Sequence, residues 1–352
     1  MVSQLRDRDA LISREGIIFR VYGYSHPSNG YVCDVEYAPS ALYRSQHPKS
    51  PRHDKNRLYY KFFEDQGLQF IIKNYPEYQI YYHPLQRQLV GVPLPAISQT
   101  KLPGHALSLL YQQTPTDELL RALHDILQEI TTLSTLKLND FGVFGSLLHG
   151  FYHPNFSDID LTIIGKQNVQ ELQKTLSAIY KTSDGILINE FSSPKTWNKN
   201  RWRFTNLSLA EYEWHQRRKL IYSLYSGAET HRQIKVEFEP VLNYPEIVNE
   251  YNEIIQIENL GWIKAEGFIL DDEYGSFMPS IYTFELTASN RSDIKDIHRI
   301  ISYVEEYRMQ VNKGEKIRVN GYVEKVTALR NQFYQITLTN AARYYEQVLK
   351  RI

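Results

Sequence analysis

The stretch FGVFGSLLHGFYHPNFSDIDL, Phe141 to Leu161, decides the reading of this chain. A short apolar strand runs into Gly145-Ser146, and a helical turn or loop follows. Two aspartates, Asp158 and Asp160, then stand two apart in the apolar run SDIDLTII. Residues i and i+2 of a strand project to the same face. Asp158 and Asp160 are therefore expected side by side, with Ile159 and Leu161 entering the core. Two carboxylates that close repel unless something positive lies between them. A hard divalent cation with oxygen ligands is the natural partner, and magnesium fits best where phosphates complete its octahedron. Gly145 gives a turn free of a side chain. Ser146 adds a hydroxyl donor, and the amides that open the following helix favour an anion. Together these parts place a metal-chelated triphosphate across the end of a sheet.

The neighbouring segments supply that sheet and its helices. Leu119, Leu120, Leu123, Ile126, Leu127, Ile130 and Leu133 recur at helical spacing. Thr114 is the expected cap of that helix, with Pro115 at its first position and Asp117 completing a capping-box pattern. A second helix is expected from Asn168 as cap, with Val169, Leu172, Leu176 and Ile179 inward. A third is expected from about Ser208 to Gly227, with Glu211 three residues after its cap. QIKVEFEPV then alternates strictly, placing Ile234, Val236 and Phe238 on one face and Lys235, Glu237 and Glu239 on the other.

Gly-Ser, a gap of about a dozen residues, then Asp-apolar-Asp-apolar resembles the signature of the nucleotidyltransferase superfamily typified by DNA polymerase beta. The resemblance is close over Phe141 to Ile164 and looser from about residue 115 to 245. It implies two-metal transfer of a nucleoside monophosphate from an NTP such as ATP, with pyrophosphate leaving. Asp158 and Asp160 would bind two magnesium ions, and Gly145 and Ser146 would hold the β- and γ-phosphates. The family's third carboxylate comes from a later strand. Glu237 matches best here, with Glu239 second, although the family more often has Asp there. The runs GSLLHGFYHPNFSDIDL and WHQRRKLIYS also resemble uncharacterised archaeal proteins that carry this domain in the middle.

Further outward, the fold class expected is α/β (α+β) in three domains. A β-rich N-terminal domain spans 1–100, the catalytic domain with its mixed sheet spans 115–245, and a β-rich C-terminal domain with helices spans 250–352. Ile17–Gly23, Tyr31–Pro39 and Tyr78–His83 read as strands. Residues 91–115, with four prolines and two glycines, read as a linker. KIRVNGYVEKV followed by FYQITLT resembles the strand pairs of OB-fold barrels. A helix is expected from Ser292 to about Met309, with Ile294, Ile297, Ile301 and Val304 inward, and another at the C-terminus.

Charge patterns suggest partners. Arg44 to Lys61 carries six basic residues against Asp54, interleaved with Tyr43, Tyr59 and Tyr60. Such a loop can hold phosphates and stack bases, or be a solvated surface. Lys199, Arg201, Arg203, Arg217, Arg218 and Lys219 lie near the central segment. Arg218 and Lys219 are candidates for contacting the nucleotide's triphosphate or a nucleic-acid backbone, or else belong to a solvated helix face paired with Glu211 and Glu213, and Trp214/Arg218 and His215/Lys219 are helical neighbours. His149 and His153 lack a compact four-ligand spacing, so zinc is not expected, and His149 should pack or hydrogen-bond beneath the nucleotide loop.

Over 352 residues, 40 Lys and Arg balance 40 Asp and Glu, which excludes a wholly basic coat protein but not a local basic patch. One cysteine, Cys33, excludes an intrachain disulfide and a Cys-rich zinc site. A reducing, cytoplasmic setting is expected. No apolar run approaches the roughly 20 residues that cross a bilayer. A nucleic acid is the expected acceptor. A protein or small-molecule acceptor is the alternative, favoured by eight carboxylates against Lys264 over 246–275. A catalytically silent nucleotide- or nucleic-acid-binding module is the third reading.

Overall fold

The computed structural model describes residues 4–54, 57–182, 185–192, 202–227, 230–340 and 342–352. Its N-terminal residues form strands, as their β-branched and aromatic content implies. These are β1 (Ala10–Ser13), β2 (Ile18–Val21), β3 (Gly30–Pro39), β4 (Pro51–Asp54) and β5 (Arg57–Lys61). After helix α1 (Gln66–Asn74) come β6 (Gln79–Tyr82), β7 (Arg87–Pro93) and β8 (Ile97–Lys101). The sheet runs β4-β5-β3-β2-β1-β8, with β7 pairing β3 and β6. Leu11, Phe19, Val35, Ile71 and Tyr78 fill its core. The basic segment expected as a loop ends in the β4–β5 hairpin. Phe19 pairs with Val35 and Ile18 with Tyr37, so Glu36 is the extra residue of a bulge in β3.

The expected linker is structured. It holds β8 and helix α2 (Pro103–Tyr111), whose first residue is a proline, where the missing N–H is harmless. A Cβ on Gly142 would stand 2.6 Å from Pro103, so only glycine lets α2 lie this close. The next helix, α3 (Glu118–Leu133), starts later than Thr114. Asp117 is its cap, because its Oδ1 accepts from the Leu120 amide at 3.0 Å.

Strand β9 (Phe141–Val143), helix α4 (Gly145–His149), strand β10 (Ile159–Ile164) and helix α5 (Lys166–Ile179) follow. Helix α5 begins before Asn168. Gly165 precedes it at φ +94°, and the Glu246 carboxylate accepts from the Lys166 amide at 3.1 Å. Asn168 instead donates to the Ile164 carbonyl at 2.7 Å. Then come β11 (Leu187–Asn189), α6 (Leu209–Lys219), β12 (Tyr222–Tyr225) and β13 (Ile234–Val241). Ser208 and Glu211 form the expected capping box of α6. The helix stops well before Gly227, because Leu220 turns left-handed at φ 54° and β12 takes the following residues. The mixed sheet has the order β11-β12-β13-β10-β9.

The C-terminal strands are β14 (Ile254–Tyr274), β15 (Ser280–Ser289), β16 (Arg299–Ser302), β17 (Lys316–Ala328), β18 (Gln332–Leu338) and β19 (Val348–Arg351). Their order is β14-β15-β16-β18-β17-β19, and β14 also pairs β17, so five strands close a barrel. Within this closure β16 pairs parallel with β18, and the other pairs among the described residues are antiparallel. That is the connectivity of an OB-fold, as the KIRVNGYVEKV and FYQITLT pair implied. The helix expected from Ser292 is absent. Ile294, Ile297 and Val304 do enter the core, joined there by Ile300 rather than Ile301, but on extended and irregular backbone around β16. Pairing of β16 on both edges, to β15 and β18, overrides the helical spacing. The expected terminal helix is strand β19, paired to β17.

The chain divides into two compact units. One comprises Met1–Tyr82, Gln86–Ile188 and Ser223–Asn249, and so holds the N-terminal sheet together with β9, β10 and β13. The other comprises His83–Leu85, Asn189–Tyr222 and Glu250–Ile352.

Candidate active site

Strand β10 lies between β9 and β13. It pairs parallel with β13, placing Asp160 opposite Glu237 and Thr162 opposite Glu239. Opposed residues share a face, so Asp160, Glu237 and Glu239 project to one side of the sheet. Ile159, Leu161 and Ile163 of β10, and Ile234, Val236 and Phe238 of β13, are fully buried on the other. Asp158 immediately precedes β10 and is exposed, while Asp160 and Glu237 are half-buried.

The turn after β9 is built against this face. The Phe144 amide donates to the Asp160 carbonyl at 3.1 Å, so the chain enters α4 beside Asp160. Gly145 sits at φ +59°, where only glycine is unstrained, and a Cβ there would stand 2.6 Å from Asp160 Oδ2. Ser146 follows, half-buried, at the second position of α4. The loop back to Asp158 is tied down. Tyr152 donates to Asp117 at 3.0 Å, and Arg232 donates to the carbonyls of Pro154 and Ser157 at 3.1 Å and 2.5 Å.

The electrostatics follow from this crowding. Burial, then the charge of Asp158, push the Asp160 carboxyl from 3.8 up to about 6, and Glu239 adds to the push. Lys61 of β5 and Lys235 of β13 act the other way. Lys235 Nζ lies 3.6 Å from Glu237 Oε2. Glu239 is fully buried and receives Arg8 Nη2 at 2.7 Å, with Asp7 beside the same guanidinium at 3.5 Å. Arg8 itself is fully buried at φ 72°. That ion pair commits Glu239 to the packing between β13 and the N-terminal segment.

His149, at the end of α4, packs as expected. Its ring is 5.5 Å from Tyr37 and its Nε2 is 3.7 Å from the Glu36 carboxylate. Burial would raise Glu36, but His149, Arg20 and Lys61 together hold it at about 2. The contribution of the N-terminal sheet to this surroundings was not legible from sequence, beyond the basic character of Arg44–Lys61.

The other basic candidates have partners of their own. Arg218 pairs with Glu315 at 2.7 Å and covers the Trp214 ring at 4.7 Å. Lys219 is fully buried and donates to the Glu306 carbonyl at 2.7 Å. Arg217 donates to the Phe191 carbonyl, and Arg203 to the Tyr345 hydroxyl. All of these partners belong to the second unit. Lys55, Lys199 and Arg201 lie outside the described residues.

The donor set near Asp160 is all carboxylate, the chemistry of a hard cation. The mutual repulsion of Asp158 and Asp160 is what such an ion would relieve. Among the described residues no three His, Cys, Asp or Glu side chains are drawn together as a metal cluster; Asp160 and Glu237 stand opposite each other on adjacent strands.

Residues 123–243 match the model of the nucleotidyltransferase domain. An uncharacterized protein of the archaeon Methanocaldococcus jannaschii is 24% identical over 347 residues, covering 97% of this chain and 96% of its own. No solved structure matches. The general activity that goes with the matched domain is nucleotidyl transfer, which implies an NTP substrate. Among the described residues no helix is long and apolar enough to cross a membrane.

Proposed function

We propose that this protein is a magnesium-dependent nucleotidyltransferase that moves a nucleoside monophosphate from an NTP to an acceptor hydroxyl, most naturally on a nucleic acid. The observation that carries the reading is the meeting of Gly145, Asp160 and Glu237 at one end of the sheet, next to Asp158. Two divalent cations would be held by Asp158 and Asp160, with Glu237 as the third carboxylate. Bound there, they would neutralise phosphate oxygens and lower the pKa of the acceptor hydroxyl. Glu239 is the weaker candidate because Arg8 already holds it.

The chain's own residues divide the remaining work. Gly145 keeps the backbone open beside the Asp160 carboxylate, and Ser146 offers its hydroxyl to a phosphate oxygen. Glu237 faces the same side as Asp160 and can take the acceptor proton once Lys235 releases it. The acceptor oxygen forms its bond to the α-phosphorus, the bond from that phosphorus to the β-bridging oxygen breaks, and pyrophosphate leaves.

Two features support a nucleic-acid acceptor: the OB-like barrel and the basic β4–β5 hairpin. The acidic residues of β14 favour the second reading, a protein or small-molecule acceptor. Incubation with each labelled NTP, magnesium and a mixed pool of RNA, DNA and protein separates these. Label on RNA or DNA supports the first and label on protein the second. Absence of transfer to any acceptor contradicts the enzyme reading.

A further inference from the structure

Strands β3 and β5 present one face to the segment that ends and follows helix α4. In the antiparallel pair of β3 and β5, Tyr37 stands opposite Lys61 and Pro39 opposite Tyr59. Opposed residues, and residues two apart, share a face. Tyr37, Tyr59 and Lys61 are therefore neighbours on one side of the N-terminal sheet. The Tyr37 ring is 5.5 Å from His149 and 5.3 Å from Phe151, and the Tyr59 ring is 4.9 Å from Phe151. These contacts bring that side of the sheet against the end of α4. Lys61 is the next position along it.

The backbone of Lys61 is fixed. Its amide donates to the Ser50 carbonyl at 2.9 Å, and the Ser50 hydroxyl donates to its carbonyl at 2.7 Å. Its side chain is half-buried. Among the described residues its ammonium has no hydrogen bond and no ion pair, and the Phe63 ring lies 5.9 Å away. Its charge is nevertheless felt at both Glu36 and Asp160. A lysine placed this way carries three unused donors within electrostatic reach of the carboxylates that would meet a chelated phosphate.

We infer that Lys61 binds a phosphate group of the substrate, so that the N-terminal sheet supplies part of the transfer site. This rests on the nucleotidyl-transfer reading. The source favoured by proximity to Asp160 is the polyphosphate of the nucleotide, and an acceptor phosphate is the other source of the same chemistry.

The test is titration calorimetry on wild type, Lys61→Ala, Lys61→Gln and Lys61→Arg. The probes are each NTP with magnesium, inorganic tripolyphosphate with and without chelator, and an oligonucleotide. Thermal melts identify folded variants, and Lys61→Gln serves if Lys61→Ala is unfolded. The expected result is at least about tenfold weaker binding of NTP and of metal-free tripolyphosphate, a shallower salt dependence, and substantial recovery in Lys61→Arg. Weakening confined to the oligonucleotide also supports Lys61 as a phosphate ligand and assigns the phosphate to the acceptor. Normal binding of every probe overturns the inference, as does weakened binding of NTP with magnesium when metal-free tripolyphosphate and the oligonucleotide are unaffected. In both of those cases NTP binding by the wild type leaves the transfer reading standing. A wild type that binds neither NTP nor tripolyphosphate overturns both.

Discussion

The carboxylate of Asp160 fills the space that a side chain at Gly145 would need, with Oδ2 2.6 Å from where a Cβ would stand. Gly145 is thus required twice, once for its φ of +59° and once for Asp160. Gly145→Ala should cost about 1–2 kcal/mol of stability from the backbone alone. It should also displace Asp160 and depress transfer more than it depresses melting temperature. Gly145→Val should abolish NTP binding while circular dichroism still reports a folded chain. Normal NTP binding by Gly145→Val would separate this turn from the nucleotide.

Asp160 and Asp158 set a pH dependence. The folded pKa of Asp160, about 6, lies above its ordinary 3.8. Its contribution to stability is therefore full below 3.8 and is lost as pH rises through about 6. In chelator, Asp158→Asn removes the neighbouring charge and should raise the melting temperature, or leave it unchanged, above that range. Toward pH 3.8 the difference from wild type should vanish. With magnesium and NTP the variant should lose the stabilisation that ligand gives the wild type. Melting curves across pH, with and without ligand, check both halves.

Glu239 is expected to act through packing. Removing one partner of its buried pair, by Arg8→Met or Glu239→Leu, should destabilise by about 3–5 kcal/mol. Replacing both should recover most of the loss. Glu237→Gln should instead leave stability close to wild type and reduce transfer. Urea melts and kinetics on the same variants decide. A stable Glu239→Leu without activity would move the third carboxylate to Glu239.

Ser146→Ala removes one hydroxyl from a charged phosphate, an interaction worth roughly 1.5–3 kcal/mol. kcat/KM for the NTP should fall by about 10- to 100-fold with residual activity. An unchanged kcat/KM would remove Ser146 from the site.

The outward face of Asp160 on β10 was legible in sequence because strand periodicity is local, whereas Asp158 falls one residue before the strand. The alternation of β13 was legible for the same reason, and so was the barrel pattern of β17 and β18. The helix expected at Ser292 failed because Ile294, Ile297, Ile301 and Val304 are spaced for a helix while β15 and β18 claim the backbone between them. The commitment of Glu239 to Arg8 joins residues 231 positions apart, and no local pattern announces it. Lys61 was visible only as one of several basic residues. It was singled out by the register of β3 with β5 and by the rings between that face and α4. Arg218 and Lys219 looked suited to phosphate, but their partners in the structure are the Glu315 carboxylate and the Glu306 carbonyl.

The most direct test of the central claim is transfer of label from an α-labelled NTP by wild type and Asp160→Ala, in magnesium and in chelator, with folding confirmed by circular dichroism. The account predicts magnesium-dependent transfer by the wild type and background levels from Asp160→Ala, because the aspartate pair cannot hold the site with one member missing. Substantial transfer by folded Asp160→Ala, or equal transfer by wild type in chelator, would contradict it.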